Sequence, residues 1–127
     1  MKTILVDAVD TFVIEWEWIF QEMYKLLETY KNPKIILSNA NDEQIKIFGL
    51  ENLPYPLFTL KHHPDKPDSK YFQMFLQQYN LSSQEVIYFE HNIDACKSAE
   101  SLGIKTHFYD AERKDLQALK EFLDINL

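Results

Sequence analysis

The chain has 127 residues, room for one domain and little more. Hydrophobic residues make up 46% and aromatics 14%, enough apolar surface for a core, which excludes a disordered chain. With 13 Lys and Arg against 20 Asp and Glu, the formal charge of -7 repels polyanions and argues against nucleic acid as a partner. A small phosphorylated ligand is still compatible, because a local cation reverses the sign at one site.

Along the chain, short apolar runs alternate with amphipathic stretches. Thr3 to Val6 reads as a buried strand that ends on Asp7. This N-terminal run is too short for a membrane span or a signal peptide, so the expectation is a cytoplasmic protein without membrane contact. Glu15 to Tyr30 reads as a helix, with Phe20, Met23, Tyr24 and Leu27 at spacings of three and four. Lys34 to Leu37 is a second strand opened by Pro33, and a helix from Asn41 stops at Gly49. Leu57 to Leu60 is a short third strand, followed by a helix over Asp68 to Tyr79. Val86 to Phe89, a helix from Asp94 to Leu102 closed by Gly103, a strand over Lys105 to Tyr109 and a helix over Arg113 to Leu123 complete the chain. Strand–helix alternation of this kind predicts an α/β fold of three layers, Rossmann-like, with a five-stranded parallel sheet covered on both faces. Ligands of such sheets bind beyond the carboxyl ends of the strands. Asp7, Ser38, the segment around Lys66, and Glu90 to Asp94 are therefore the residues of interest.

Four segments carry chemistry. Ile4-Leu5-Val6-Asp7-Ala8-Val9-Asp10-Thr11 places a carboxylate directly after a buried strand, either as a nucleophile or as a turn cap. Ile35-Ile36-Leu37-Ser38-Asn39 ends a strand on a hydroxyl, suited to a phosphoryl oxygen or to capping the next helix. Lys66-Pro67-Asp68-Ser69-Lys70-Tyr71-Phe72 sets a cation before a helix, although Pro67 and Asp68 also suit a plain helix start. Val86 to Asp94 is a strand followed by two acids four residues apart, Glu90 and Asp94, with Ala99 and Leu102-Gly103-Ile104 beyond. Those acids read as cation ligands, or Asp94 as a helix cap and Glu90 as a loop acid.

Taken in order, the four segments resemble the four signature motifs of the haloacid dehalogenase-like (HAD) superfamily, and they span most of the chain. The resemblance implies a HAD-like fold over residues 1–127. It is the cap-less form, because one helix fills the interval between Asp7 and the second strand. It further implies a magnesium-dependent hydrolase of the phosphatase type. Asp7 would be the nucleophile, Ser38, Asn39 and Lys66 would hold the phosphoryl group, and Mg2+ would be held by Asp7, the Val9 carbonyl, Glu90 and Asp94. The implied partner is a small phosphorylated molecule or a phosphoprotein, and an open site of this kind leaves a homodimer open.

The departures matter equally. Val9 stands where the family's phosphatases carry the aspartate that moves protons, and Asp10 comes one residue too late. Phe89 replaces a glycine, and Glu90 an aspartate. Slow turnover is therefore expected, fastest on acyl phosphates, whose leaving group needs no proton. Two other readings follow: a catalytically silent binding or interaction protein on the same fold, and a haloacid dehalogenase, which usually carries a cap.

Three further features fall outside the motifs. Glu15-Trp16-Glu17-Trp18 is either an aromatic lip or dimer contact, or packing at the start of the first helix, which is the reading adopted. The adjacent His62 and His63 suit a solvated loop, and the single cysteine, Cys96, a core position. No role is assigned to His91.

Overall fold

The computed structural model describes residues 1–127. Its centre is β1, Thr3–Asp7, buried along its whole length. On one side β1 pairs in parallel with β4 (Lys34–Ser38), and on the other with β6 (Val86–Glu90). β5 (Leu57–Thr59) and β7 (Lys105–Phe108) complete a parallel sheet in the order β5-β4-β1-β6-β7. The three central strands are near-continuous apolar runs because both of their faces are covered. Alternate residues serve opposite layers. Ile4 and Val6 join Ile36, Ile87 and Phe89 beneath α1 (Gln21–Glu28) and α5 (Leu116–Asn126), which contribute Met23, Leu27, Leu119 and Leu123. Leu5 joins Ile35, Leu37 and Tyr88 beneath α3 (Lys70–Tyr79) and α4 (Ile93–Glu100), which contribute Tyr71, Phe72, Phe75 and Ala99. The fold is thus the predicted three-layer α/β architecture with five parallel strands, and no helix is long and apolar enough to cross a membrane.

The register places chemistry at one edge of this sheet. Asp7, Ser38 and Glu90 are the last residues of β1, β4 and β6. Because the strands run parallel, all three emerge at the same carboxyl-terminal end.

The largest departure from expectation lies between β1 and α1. The predicted helix over Glu15 to Tyr30 begins only at Gln21. In front of it stands an antiparallel hairpin, β2 (Val13–Ile14) and β3 (Trp18–Ile19), with Val13 opposite Ile19 and Ile14 opposite Trp18. Trp16 and Trp18 have φ of 69° and 67°, a left-handed backbone that no α-helix accommodates. Neither ring packs into the start of α1, for Trp16 is 85% and Trp18 67% exposed. The Trp18 ring lies instead over Gly49, just past α2 (Asp42–Ile47).

Other boundaries move by shorter steps, and three helices start on side-chain caps. α2 starts after Asn41, whose side chain accepts from the Gln44 N–H while the Gln44 side chain accepts from the Asn41 N–H. α4 is capped by Asn92, not Asp94, and α5 by Asp115, so it starts three residues later than predicted.

Gly49 has φ +68°, and a Cβ there would lie 2.4 Å from the Trp18 ring. Gly49→Ala should therefore destabilise the protein by about 1 kcal/mol or more in urea unfolding, since it combines left-handed strain with that clash. Tryptophan fluorescence of the folded variant should report a displaced Trp18.

Candidate active site

Asp7 sits at the floor of a cavity of about 400 Å³ at the carboxyl end of the sheet. Its backbone carbonyl accepts from the Phe12 N–H, so the loop after β1 turns tightly back on the strand. That turn places Thr11 over the carboxylate, where its hydroxyl donates to Asp7 Oδ2 at 2.7 Å. It also gives Asp10 a left-handed φ of 69° and sets it in the cavity wall beside Val9.

Lys66 is buried and tied to both carboxylates. Its Nζ donates to Asp7 Oδ1 at 2.6 Å and to Glu90 Oε1 at 2.9 Å. Its backbone N–H donates to Asn39 Oδ1 at 2.8 Å, so the residue after β4 fixes the loop that delivers the lysine. Ser38 lines the cavity and its Oγ accepts from the Ala40 N–H, which leaves the hydroxyl proton free to point at a ligand. Glu90 is held at four points. Oε1 accepts from Lys66 and from the Tyr88 hydroxyl, and Oε2 from the N–H groups of His91 and Asn92 at 3.0 and 3.1 Å. The extra methylene of a glutamate is absorbed by these donors.

His91, given no role by the sequence, is the main addition. Its Nδ1 lies 2.5 Å from Asp7 Oδ2 and 3.2 Å from Glu90 Oε2. Asp7, Glu90 and His91 together offer three metal-ligating atoms within 4.8 Å of one another. Asp94 lies elsewhere, exposed in the first turn of α4, with its N–H on the Asn92 cap and outside the cavity lining. The visible signal for His91 was its place directly after the last strand residue. Its ring direction depends on the Glu90–backbone bonds, which no sequence pattern displays.

The charges reinforce one another. Burial alone would raise the Asp7 pKa, but the Lys66 charge and the hydrogen bond from His91 outweigh it and hold the carboxyl well below its usual range. Burial likewise works against the Lys66 ammonium, and Asp7 and Glu90 overcome it, so its pKa is raised. Hydrogen bonds to Asp7 and Glu90 raise His91 to about 10 against the opposing effect of burial. Asp7 is therefore an ionised carboxylate at neutral pH. Cys96 is buried beneath the site and donates to the Glu90 carbonyl at 3.4 Å, and burial pushes its thiol up to about 12, as suits a core residue. His62 stays in a solvent-exposed loop at the rim, bonded to Asp65 at 2.7 Å and Gln44 at 2.6 Å.

No family model matches the chain, and no curated protein matches it. Solved structures do. An aspartate-to-alanine mutant of a HAD family enzyme from Bacteroides thetaiotaomicron, in complex with magnesium and inorganic phosphate, superposes with a TM-score of 0.67 at 14% identity, covering 87% of this chain and 95% of that one. The wild-type enzyme, also with magnesium and phosphate, gives 0.62 at 22% identity over 74% of this chain, which spans 54% of its partner, about half. A conserved haloacid dehalogenase-like protein of unknown function from Agrobacterium tumefaciens gives 0.57 at 17% identity, covering 84% of this chain and 61% of that one. The chain has the HAD-like fold, and these neighbours are HAD family enzymes and HAD-like proteins. At such identities the likeness speaks for the fold.

The raised His91 value has a sign that can be tested. Its pKa lies above the ordinary 6.5, so its contribution to stability is complete below pH 6.5 and is lost as pH rises toward about 10. Unfolding free energies measured across that interval should fall for the wild type, and His91→Ala should remove part of the fall.

Proposed function

We propose that this protein hydrolyses phosphoryl groups through a covalent intermediate on Asp7. One observation carries the reading: an ionised, buried carboxylate on the floor of an open cavity, locked to a lysine that also holds Glu90. Asp7 attacks phosphorus as the bond to the leaving-group oxygen breaks, and water then cleaves the acyl phosphate on Asp7. Lys66 offsets negative charge on the phosphoryl oxygens, and Ser38 donates its hydroxyl to one of them. Asn39 shares the wall, and its side-chain Oδ1 positions Lys66 by accepting from the Lys66 main-chain N–H. The HAD enzyme crystallised with magnesium and inorganic phosphate supports both the substrate class and the need for a cation.

The donor chemistry fits a divalent cation at Asp7 and Glu90; His91 belongs to the same cluster, Asp94 does not, and the Val9 carbonyl would be a further ligand. A bound magnesium ion would supply positive charge to the phosphoryl oxygens. Proton transfer is the weak part, because Val9 presents an apolar side chain to the cavity. Substrates are small phosphorylated molecules, acyl phosphates above all, or exposed phosphoryl groups on proteins. Between β1 and β4 the chain adds only the hairpin and α1, which agrees with one domain without a cap and an open mouth. A silent binding protein on this fold is the rival reading, and Val9 is the observation that favours it.

Steady-state hydrolysis separates the two. With magnesium, acetyl phosphate should turn over faster than glycerol phosphate, and Asp7→Asn should abolish both reactions. Val9→Asp should raise glycerol phosphate turnover by about 10²-fold or more, the usual value of a positioned acid. Equal rates for wild type and Asp7→Asn would overturn the proposal.

A further inference from the structure

The cluster around Asp7 has two sides. Lys66 takes one oxygen of each carboxylate, Asp7 Oδ1 at 2.6 Å and Glu90 Oε1 at 2.9 Å. The other oxygen of each, Asp7 Oδ2 and Glu90 Oε2, faces His91 Nδ1 at 2.5 and 3.2 Å. One side is closed by a fixed ammonium. The other side presents two oxygens and a nitrogen, and a cation there would share oxygens that already accept hydrogen bonds: Asp7 Oδ2 from the Thr11 hydroxyl at 2.7 Å, and Glu90 Oε2 from two main-chain N–H groups. The donors on this side are held firmly: Glu90 Oε2 is anchored by the N–H groups of His91 and Asn92, so the same carboxylate fixes the main chain that carries the ring. The His91 ring also lines the cavity, so the cluster is reached from solvent through the same mouth as Asp7.

Magnesium takes oxygen ligands and binds imidazole poorly. Imidazole suits zinc, iron, nickel and their first-row neighbours, whose affinity for a mixed site exceeds that of a purely hard cation. We propose that Asp7, Glu90 and His91 form a mixed oxygen–nitrogen site that prefers a first-row transition cation, of the Co2+ or Zn2+ kind, to magnesium. Binding releases the Nδ1 proton of His91 to solvent, and the nitrogen lone pair takes its place at the cation. Lys66 keeps its two oxygens, so the phosphoryl-facing charge is unchanged. The inference rests on the reading that a divalent cation serves the Asp7 site, and it goes beyond that reading in assigning the ligand and the selectivity to His91.

Co2+ is the probe, because its visible absorption reports nitrogen ligation directly. The full chain is titrated with Co2+ and, separately, with Mg2+ by calorimetry and absorption at fixed pH. Wild type should bind Co2+ more tightly than Mg2+. His91→Ala should weaken Co2+ by about 10- to 100-fold and change its spectrum, with Mg2+ affinity nearly unaltered. His91→Asp, which restores an oxygen donor, should bring Mg2+ close to Co2+. A paired His62→Ala and His63→Ala variant should leave Co2+ binding intact. The inference is overturned if wild type binds no Co2+, if His91→Ala leaves the Co2+ affinity and spectrum unchanged, or if binding is lost only with His62 and His63. Hydrolysis failing while His91-dependent Co2+ binding persists would overturn the phosphohydrolase reading alone.

Discussion

The buried lysine at the centre of the site constrains everything around it. Lys66 is an ammonium removed from water, and only Asp7 and Glu90 make that position tolerable. Each of the three charges depends on the other two. Removing one partner from such a cluster typically costs about 3–5 kcal/mol, because the remainder is left uncompensated. The fold therefore has to bring the ends of two strands and one loop together within hydrogen-bond distance. Parallel pairing of β1 with both β4 and β6 does this by register, and Asn39 does it for the loop by holding the Lys66 N–H.

The same constraint prepares chemistry. A buried carboxylate kept ionised is available as a nucleophile at neutral pH, and its counter-charge is already positioned where phosphoryl charge would develop. Thr11 and His91 fix the second oxygen, so the group has one orientation. The apolar layers beneath supply rigidity. The aromatic contacts of Phe58 with Tyr71 and Phe75, and the Tyr71 hydroxyl on the Ser38 carbonyl, tie α3 to the β4–β5 edge that carries Ser38 and Asn39. Cavity and core are thus one mechanical unit.

The fold was legible because its strands are apolar runs bounded by polar residues, and Thr3 to Val6, Lys34 to Leu37 and Val86 to Phe89 each fall within one residue of the observed strand ends. The juxtaposition of Asp7, Ser38, Lys66 and Glu90 was legible for a related reason: parallel strands put their carboxyl ends together. What was hidden depends on backbone direction. Left-handed φ at Trp16 and Trp18 turns an apparent helix into a hairpin, and Asp10, with the same conformation, stands in the cavity wall. Asn92, not Asp94, caps α4, and Asp94 lies exposed in the first turn. These outcomes rest on local turn and cap hydrogen bonds, such as the Asp10 N–H on the Val13 carbonyl and the Asp94 and Ala95 N–H groups on Asn92 Oδ1, whose geometry residue spacing does not display.

The account turns on Asp7 accepting a phosphoryl group. Its most direct test is peptide mass analysis of protein incubated with acetyl phosphate and a divalent cation, then quenched in acid to preserve an acyl phosphate. A single phosphoryl addition on Asp7 is expected, lost on brief treatment with base and missing from Asp7→Asn. An unmodified Asp7 peptide under turnover, or a phosphoryl group carried by His91 instead, would contradict it.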